Sequence, residues 1–176
     1  MASLRFYAVV AAIVCADQVS KWAVMGALTY GESRPIVPGW LSLTPTQNTG
    51  GAFSLLQARN GVFIVVALVA AAALGLAYHR FQRRDLWASA GIALALGGAL
   101  GNLVDRMRLG YVQDFFNIHS AAGRNLWPVF NIADSAISVG ILLLAWRIAC
   151  GGPAAGADRR ADPAPDAPEA PGRLRT

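Results

Sequence analysis

Charge is scarce in this chain of 176 residues: Asp, Glu, Lys and Arg together make up 14% of it. Such a surface-poor composition excludes an ordinary soluble domain of this length. Histidine and cysteine are scarcer still, limited to His79, His119, Cys15 and Cys150. No cluster of them has the spacing of a metal or redox motif, and both cysteines sit in apolar segments as small hydrophobes. Serine chemistry lacks a base, because no histidine lies near Ser20, Ser54, Ser135 or Ser138 within a span. A Ser20–Lys21 dyad fails because adjacent positions on a helix diverge. Internal repeats are absent too, which weighs against inverted-repeat transporters.

What is present is apolar: 55% of the residues are hydrophobic and the mean hydropathy is +0.43. Four stretches have spanning length, Phe6 to Leu28, Val62 to Tyr78, Leu86 to Val104 and Asn131 to Ile148, since a bilayer takes about 20 apolar residues per helix. The first begins like a signal peptide, with Arg5 before Phe6 to Cys15. Val14 precedes the cysteine where a small residue would be wanted, however, and the apolar pattern runs on to Leu28, so a retained first span is expected.

The net charge of +5 is explained by topology. Arg80, Arg83 and Arg84 crowd one connection, and Arg147, Arg159, Arg160, Arg173 and Arg175 lie at and beyond the last span. Both regions are expected on the cytoplasmic side. No basic stripe interleaved with aromatics exists, so nucleic acid is not an expected partner; membrane lipid is. Both termini are then cytoplasmic, and outer loops 29–61 and 105–130 are exported. Residues 1–150 are expected to form one four-helix transmembrane domain. Residues 151–176 are dominated by Ala, Pro, Gly, Arg and Asp, with Leu174 their only large aliphatic residue, and are expected to be a disordered cytoplasmic tail.

The loops carry further patterns. Trp40-Leu41-Ser42-Leu43-Thr44 alternates, and Gly50-Gly51 offers a turn before Ala52 to Leu56, which together suggest a short surface sheet. Tyr111 to Ser120 mixes aromatic and polar residues, as an interfacial helix would.

Ionisable residues inside spans are costly unless paired or set in a wet cavity. Asp17 and Lys21 share a helix face at a spacing of four, either as a self-neutralising anchor or as part of a site. Small residues Gly97-Gly98-Ala99 and Gly101 permit close helix contact and lead to Asn102, Asp105 and Arg106. Asn131 and Asp134 project from one face of the fourth span. Asp134 has no cation nearby within its own span, and Asp114, between aromatic flanks, is its natural companion. Two close carboxylates share a proton, so one takes a proton from water while the other protonates a carbonyl, which is peptidase chemistry. Simple capping by Asp114 is the structural alternative. An ion-coupled transporter using Asp17, Asp105 and Asp134 as a relay, or a non-catalytic scaffold, are the competing classes. The clustering of carboxylates toward one end speaks against the relay.

Four ordered segments carry a resemblance: Asp17-Gln18-Val19-Ser20-Lys21-Trp22; Asn48-Thr49-Gly50-Gly51-Ala52-Phe53-Ser54; Gly101-Asn102-Leu103-Val104-Asp105-Arg106 with Val112-Gln113-Asp114-Phe115; and Phe130-Asn131-Ile132-Ala133-Asp134-Ser135. From Phe6 to Ile148 the chain resembles the lipoprotein signal peptidases, the signal peptidase II family, with no departure inside these motifs. The resemblance implies an all-α, four-helix inner-membrane protein with a small outer-face β-sheet and a short interfacial helix. It implies an aspartic endopeptidase, without metal or cofactor, that cuts prolipoproteins before a diacylglyceryl cysteine at the outer face and is inhibited by globomycin-type cyclic peptides. By residue-by-residue carry-over, Asp114 and Asp134 are the catalytic pair. Asn48, Gly50, Asn102, Arg106 and Asn131 form the pocket, and Asp17 and Lys21 support it.

Overall fold

The computed structural model describes residues 2–50, 60–79 and 85–150. Its elements run α1 (Ala2–Ala27), β1 (Arg34–Val37), β2 (Leu41–Asn48), α2 (Asn60–Ala77), α3 (Leu86–Leu109), β3 (Val112–Ile118) and α4 (Ile132–Cys150). Among the described residues four helices are long and apolar enough to cross a membrane. The large apolar side chains left exposed, such as Val65, Leu68, Val69 and Leu76 on α2 and Ile141, Leu142 and Ile148 on α4, suit a lipid environment, where helices satisfy their own backbone groups.

Helix α3 is the hub, packing against α1, α2 and α4. Its small residues make this possible. A Cβ on Gly98 would collide with the Ala133 carbonyl of α4, and one on Gly101 would stand 2.7 Å from Asp17 Oδ2 of α1, so glycine sets the helix spacing. At the opposite end of the bundle Phe6 stacks on Tyr78, ring centroids 3.6 Å apart, within a core that includes Val10, Ile92, Ala93 and Leu96.

The ends of α3 are closed by sequence-local devices. Asp85 caps its start, accepting from the Trp87 and Ala88 backbone N–H groups. Gly110, at φ 83°, ends it with its N–H on the Arg106 carbonyl. The helix therefore runs past the expected boundary at Val104, carrying Asp105 and Arg106 within its last turns.

Strands β1, β2 and β3 form an antiparallel sheet in that order, with Thr46 opposite Asp114 and Asn48 opposite Val112. The β2–β3 register shifts between Leu43 and Thr46, where Pro45 has no N–H to give the ladder. The alternating Trp40–Thr44 segment does enter a strand, but the second expected one, Ala52 to Leu56, lies outside the described residues.

One expectation is corrected. Tyr111 to Ser120 does not form an interfacial helix: its core, Val112–Ile118, is strand β3. This segment finds backbone partners on both sides, β2 along one edge and Phe130 along the other, where the Phe115 and Phe116 N–H groups both reach the Phe130 carbonyl at 3.0 and 2.8 Å. The aromatic and β-branched side chains that suggested an interface also favour a strand.

Candidate active site

The site is assembled where the sheet meets the ends of α1 and α3 and the start of α4. Its organiser is Asn131, the residue before α4 and wholly buried. The Asn131 side-chain oxygen accepts the Asp134 N–H at 2.8 Å, and in return Asp134 Oδ2 accepts the Asn131 N–H at 3.3 Å. This is a reciprocal cap with aspartate in the place of the usual glutamate. The amide nitrogen left over, Asn131 Nδ2, donates to Asp114 Oδ1 at 2.6 Å. The two aspartates are thus tied to one residue: the Asn131 side chain holds the Asp114 carboxylate from β3 and the Asp134 backbone N–H in the first turn of α4, and its backbone N–H holds the Asp134 carboxylate.

Two more asparagines complete the pair's hydrogen bonds. Asn48, at the end of β2, donates to Asp114 Oδ2 at 2.9 Å while its own oxygen takes the Gly50 N–H at 2.9 Å. Asn102 of α3 donates to Asp134 Oδ1 at 2.7 Å. Gly50 stands at φ 95°, and a Cβ there would run into the Phe63 ring, so both backbone conformation and space demand glycine.

Asp114 is 1% exposed. Burial, followed by the negative charge of Asp134, pushes its carboxyl up from 3.8 to about 7, against the pull of its bonds from Asn48 and Asn131. Asp114 therefore exchanges its proton near neutral pH.

Beneath the pair lies a second, fully enclosed layer. Lys21 Nζ touches Asp17 Oδ2 and Asp105 Oδ2, each at 2.8 Å, and Asn102 Oδ1 at 3.1 Å. The other Asp17 oxygen accepts the Ala133 N–H at 3.0 Å, so the start of α4 neutralises part of that charge. Gln18 Nε2 donates to Asp105 Oδ1 at 2.8 Å, and the Gln113 N–H reaches Asp105 Oδ2 at 3.0 Å. Asp105 thereby anchors β3 one residue from Asp114.

All the residues expected from the sequence converge here. Among the described residues Arg106 bonds to no carboxylate; its guanidinium lies 4.4 Å from the centre of the Phe63 ring, and Nη1 is buried with no hydrogen-bond partner among them. Gln18, the site role of Asp105, and Phe63 escaped the sequence reading. Gln18 stands inside a quoted motif, and Asp105 was visible in the polar cluster with Asn102 and Arg106 at the end of the third span; Phe63 left no signal in an apolar run. Among the described residues no group of three His, Cys, Asp or Glu side chains could hold a metal.

Fold and site together define a polytopic membrane protein with a paired carboxylate centre at one end of its helix bundle. Residues 9–150 match the family described as Signal peptidase (SPase) II. A Lipoprotein signal peptidase of Pelotomaculum thermopropionicum is 39% identical, covering 81% of this chain and 90% of its own length. One of Pseudomonas syringae pv. tomato is 44% identical over 76% of this chain and 79% of its own. A bacterial membrane enzyme solved by the in meso method at 1.9 Å resolution superposes with a TM-score of 0.75 at 28% identity, covering 82% of this chain and 92% of its own. The chain belongs to the signal peptidase II family. It is accordingly a peptidase, and a multi-pass bacterial membrane protein.

Proposed function

We propose that this protein removes the signal peptide from prolipoproteins as an aspartic endopeptidase, cutting before a diacylglyceryl-modified cysteine. The observation that carries the reading is the tethering of Asp114 and Asp134 to the two ends of Asn131, with Asp114 titrating near 7.

The pair holds one proton between two carboxylates. The ionised member takes a proton from a water molecule, whose oxygen attacks the scissile carbonyl carbon. The protonated member gives its proton to the carbonyl oxygen, producing a tetrahedral diol. Collapse breaks the C–N bond as the cysteine nitrogen takes the proton first drawn from water and a diol hydroxyl returns its proton to the carboxylate that had protonated the carbonyl, leaving the signal peptide with a carboxyl terminus and the pair again holding one proton. Asn48, Asn102 and Asn131 hold the carboxylates in register. The unpartnered Arg106 Nη1 binds a backbone carbonyl of the substrate, and Gly50 leaves room for its chain. Burial deepens from Asn48, which is exposed, to Asp17, which is 0% exposed, so substrate and water enter from the sheet side.

In the cell this side is the outer face of the cytoplasmic membrane, with Arg80, Arg83, Arg84 and both termini inside. Residues 1–150 carry the peptidase. Globomycin-type cyclic peptides compete for the same pocket.

The deciding experiment incubates purified protein with a diacylglyceryl-modified prolipoprotein and maps the cut by mass spectrometry, for wild type, Asp114→Asn and Asp134→Asn, each checked for folding. Cleavage before the lipidated cysteine by wild type alone is expected. Equal behaviour of all three proteins would remove the carboxylate mechanism, and abolition by chelators would point to metal chemistry instead.

A further inference from the structure

Lys21 is the only lysine in the chain. It is 1% exposed, and its ammonium group has three protons and no lone pair. Each proton has one acceptor: Asp17 Oδ2, Asp105 Oδ2 and Asn102 Oδ1. The third contact matters most for chemistry. An amide side chain can face its neighbours in two ways, and what surrounds it decides which. The oxygen of Asn102 is met by two pure donors, the Lys21 ammonium at 3.1 Å and Asn131 Nδ2 at 3.1 Å. Asn131 is itself fixed, because its oxygen holds the Asp134 backbone N–H. With Lys21 and Asn131 on its oxygen, Asn102 must present Nδ2 to Asp134 Oδ1. In the opposite orientation two oxygens would face each other there, and Nδ2 would face the ammonium.

We infer that Lys21 is a positioning residue for the carboxylate pair, acting through Asn102 to aim an amide N–H at Asp134. Asp17 and Asp105 hold the lysine in place, and Gln18 holds Asp105. The inference rests on the proposed roles of Asp114 and Asp134. The charged groups around the pair are Asp17 and Lys21 from α1, Asp105 and Arg106 from α3, Asp114 from β3 and Asp134 from α4. The described residues of β2 and α2 contribute none. Among the described residues Lys21 is thus one of two cations near the pair, and the one that also sets a hydrogen bond to it.

The test compares steady-state cleavage by wild type, Lys21→Met, Asn102→Ala and the Lys21→Met/Asn102→Ala double variant, each over a pH series and with Asp134→Asn as the inactive reference. Lys21→Met is expected to lose about 100-fold in kcat with little change in KM, the scale of loss for a misaligned reacting group. Its acid limb is expected to move to higher pH, because removing a nearby cation makes carboxylates harder to ionise. The double variant is expected to be no worse than Asn102→Ala, since the lysine acts through that amide. If Lys21→Met does not fold, Lys21→Met/Asp105→Asn carries the same measurement. There Asp17 alone remains charged, keeping the −1 that Asp17, Lys21 and Asp105 sum to, while Asn102 still lacks its ammonium donor. A folded variant of either kind with wild-type kcat and an unmoved acid limb would overturn the inference, as would strictly multiplicative losses in the double variant. If Asp134→Asn cleaves like wild type, the fault lies instead with the carboxylate mechanism.

Discussion

Both ends of this helix bundle carry an acid paired with a base, and the two pairs differ in kind. At the end away from the sheet, Arg147 Nε meets Asp85 Oδ2 at 2.6 Å, the two side chains 33% and 25% exposed. Asp85 lies below the usual carboxylate range, chiefly because the Ala88 N–H and then Arg147 favour its charge. At the sheet end, Lys21 meets Asp17 and Asp105 at 2.8 Å with exposures of 1%, 0% and 2%. The first pair is a clasp that water can replace. The second is enclosed, so each member depends on the others for its solvation. Only the enclosed one touches residues that hold the candidate reacting carboxylates, and a solvated clasp could not fix an amide as tightly. Burial at the sheet end is what couples charge to geometry.

The largest expected effect falls on turnover at the sheet end. Asp114→Asn or Asp134→Asn should lower cleavage by at least about 10³-fold, within the range of acid–base catalysis. The thermal midpoint in detergent should change little, because a pair that shares one proton carries a single negative charge and keeps it when either member becomes asparagine. Next comes stability. Lys21→Met should cost about 3–5 kcal/mol, as breaking one partner out of a buried ionic set does, read by chemical denaturation in mixed micelles. Asn131→Ala should lose about 1–2 kcal/mol of helix capping and most activity together.

A pH series sharpens the contrast further. The Asp114 carboxyl is raised from 3.8 to about 7, so its neutral form stabilises the fold. That contribution is complete below 3.8 and lost as pH rises through about 7. Wild-type thermal midpoints should decline across that window, and Asp114→Asn should flatten the decline. Asp85 has the opposite sign: lowered in the folded protein, it contributes stability above the ordinary value that fades as pH falls. The smallest effect is expected for Arg147→Met, under about 1 kcal/mol with unchanged cleavage. An activity loss there comparable to Lys21→Met would erase the distinction between the two ends.

What was legible in the sequence was what helical geometry dictates. Asp17 and Lys21 are four apart and Asn131 and Asp134 three apart, and both pairs meet as periodicity requires. The four spans are visible because a bilayer imposes one length on all of them. What was not legible depends on partners distant in the chain. Lys21 finds its second carboxylate, Asp105, only because Gly97, Gly98 and Gly101 let α3 approach both α1 and α4. Strand β3 was mistaken for a helix because its buried positions, Val112, Asp114, Phe115 and Asn117, break strict alternation. Phe130 completes that strand from beyond a loop. Asn48 and Gly50 were placed by resemblance alone, since no local spacing links them to Asp114.

Asn131 has a consequence for how this protein can change. One side chain begins a transmembrane helix with its oxygen and steadies a candidate reacting carboxylate with its nitrogen. Serine, aspartate or threonine would keep a cap but lose the amide N–H that steadies Asp114, so none of them performs both duties. A compound that drew its affinity from Asn131 would therefore bind a residue with no neutral exits. Escape by mutation there would leave Asp114 without its amide partner, even where a cap survives.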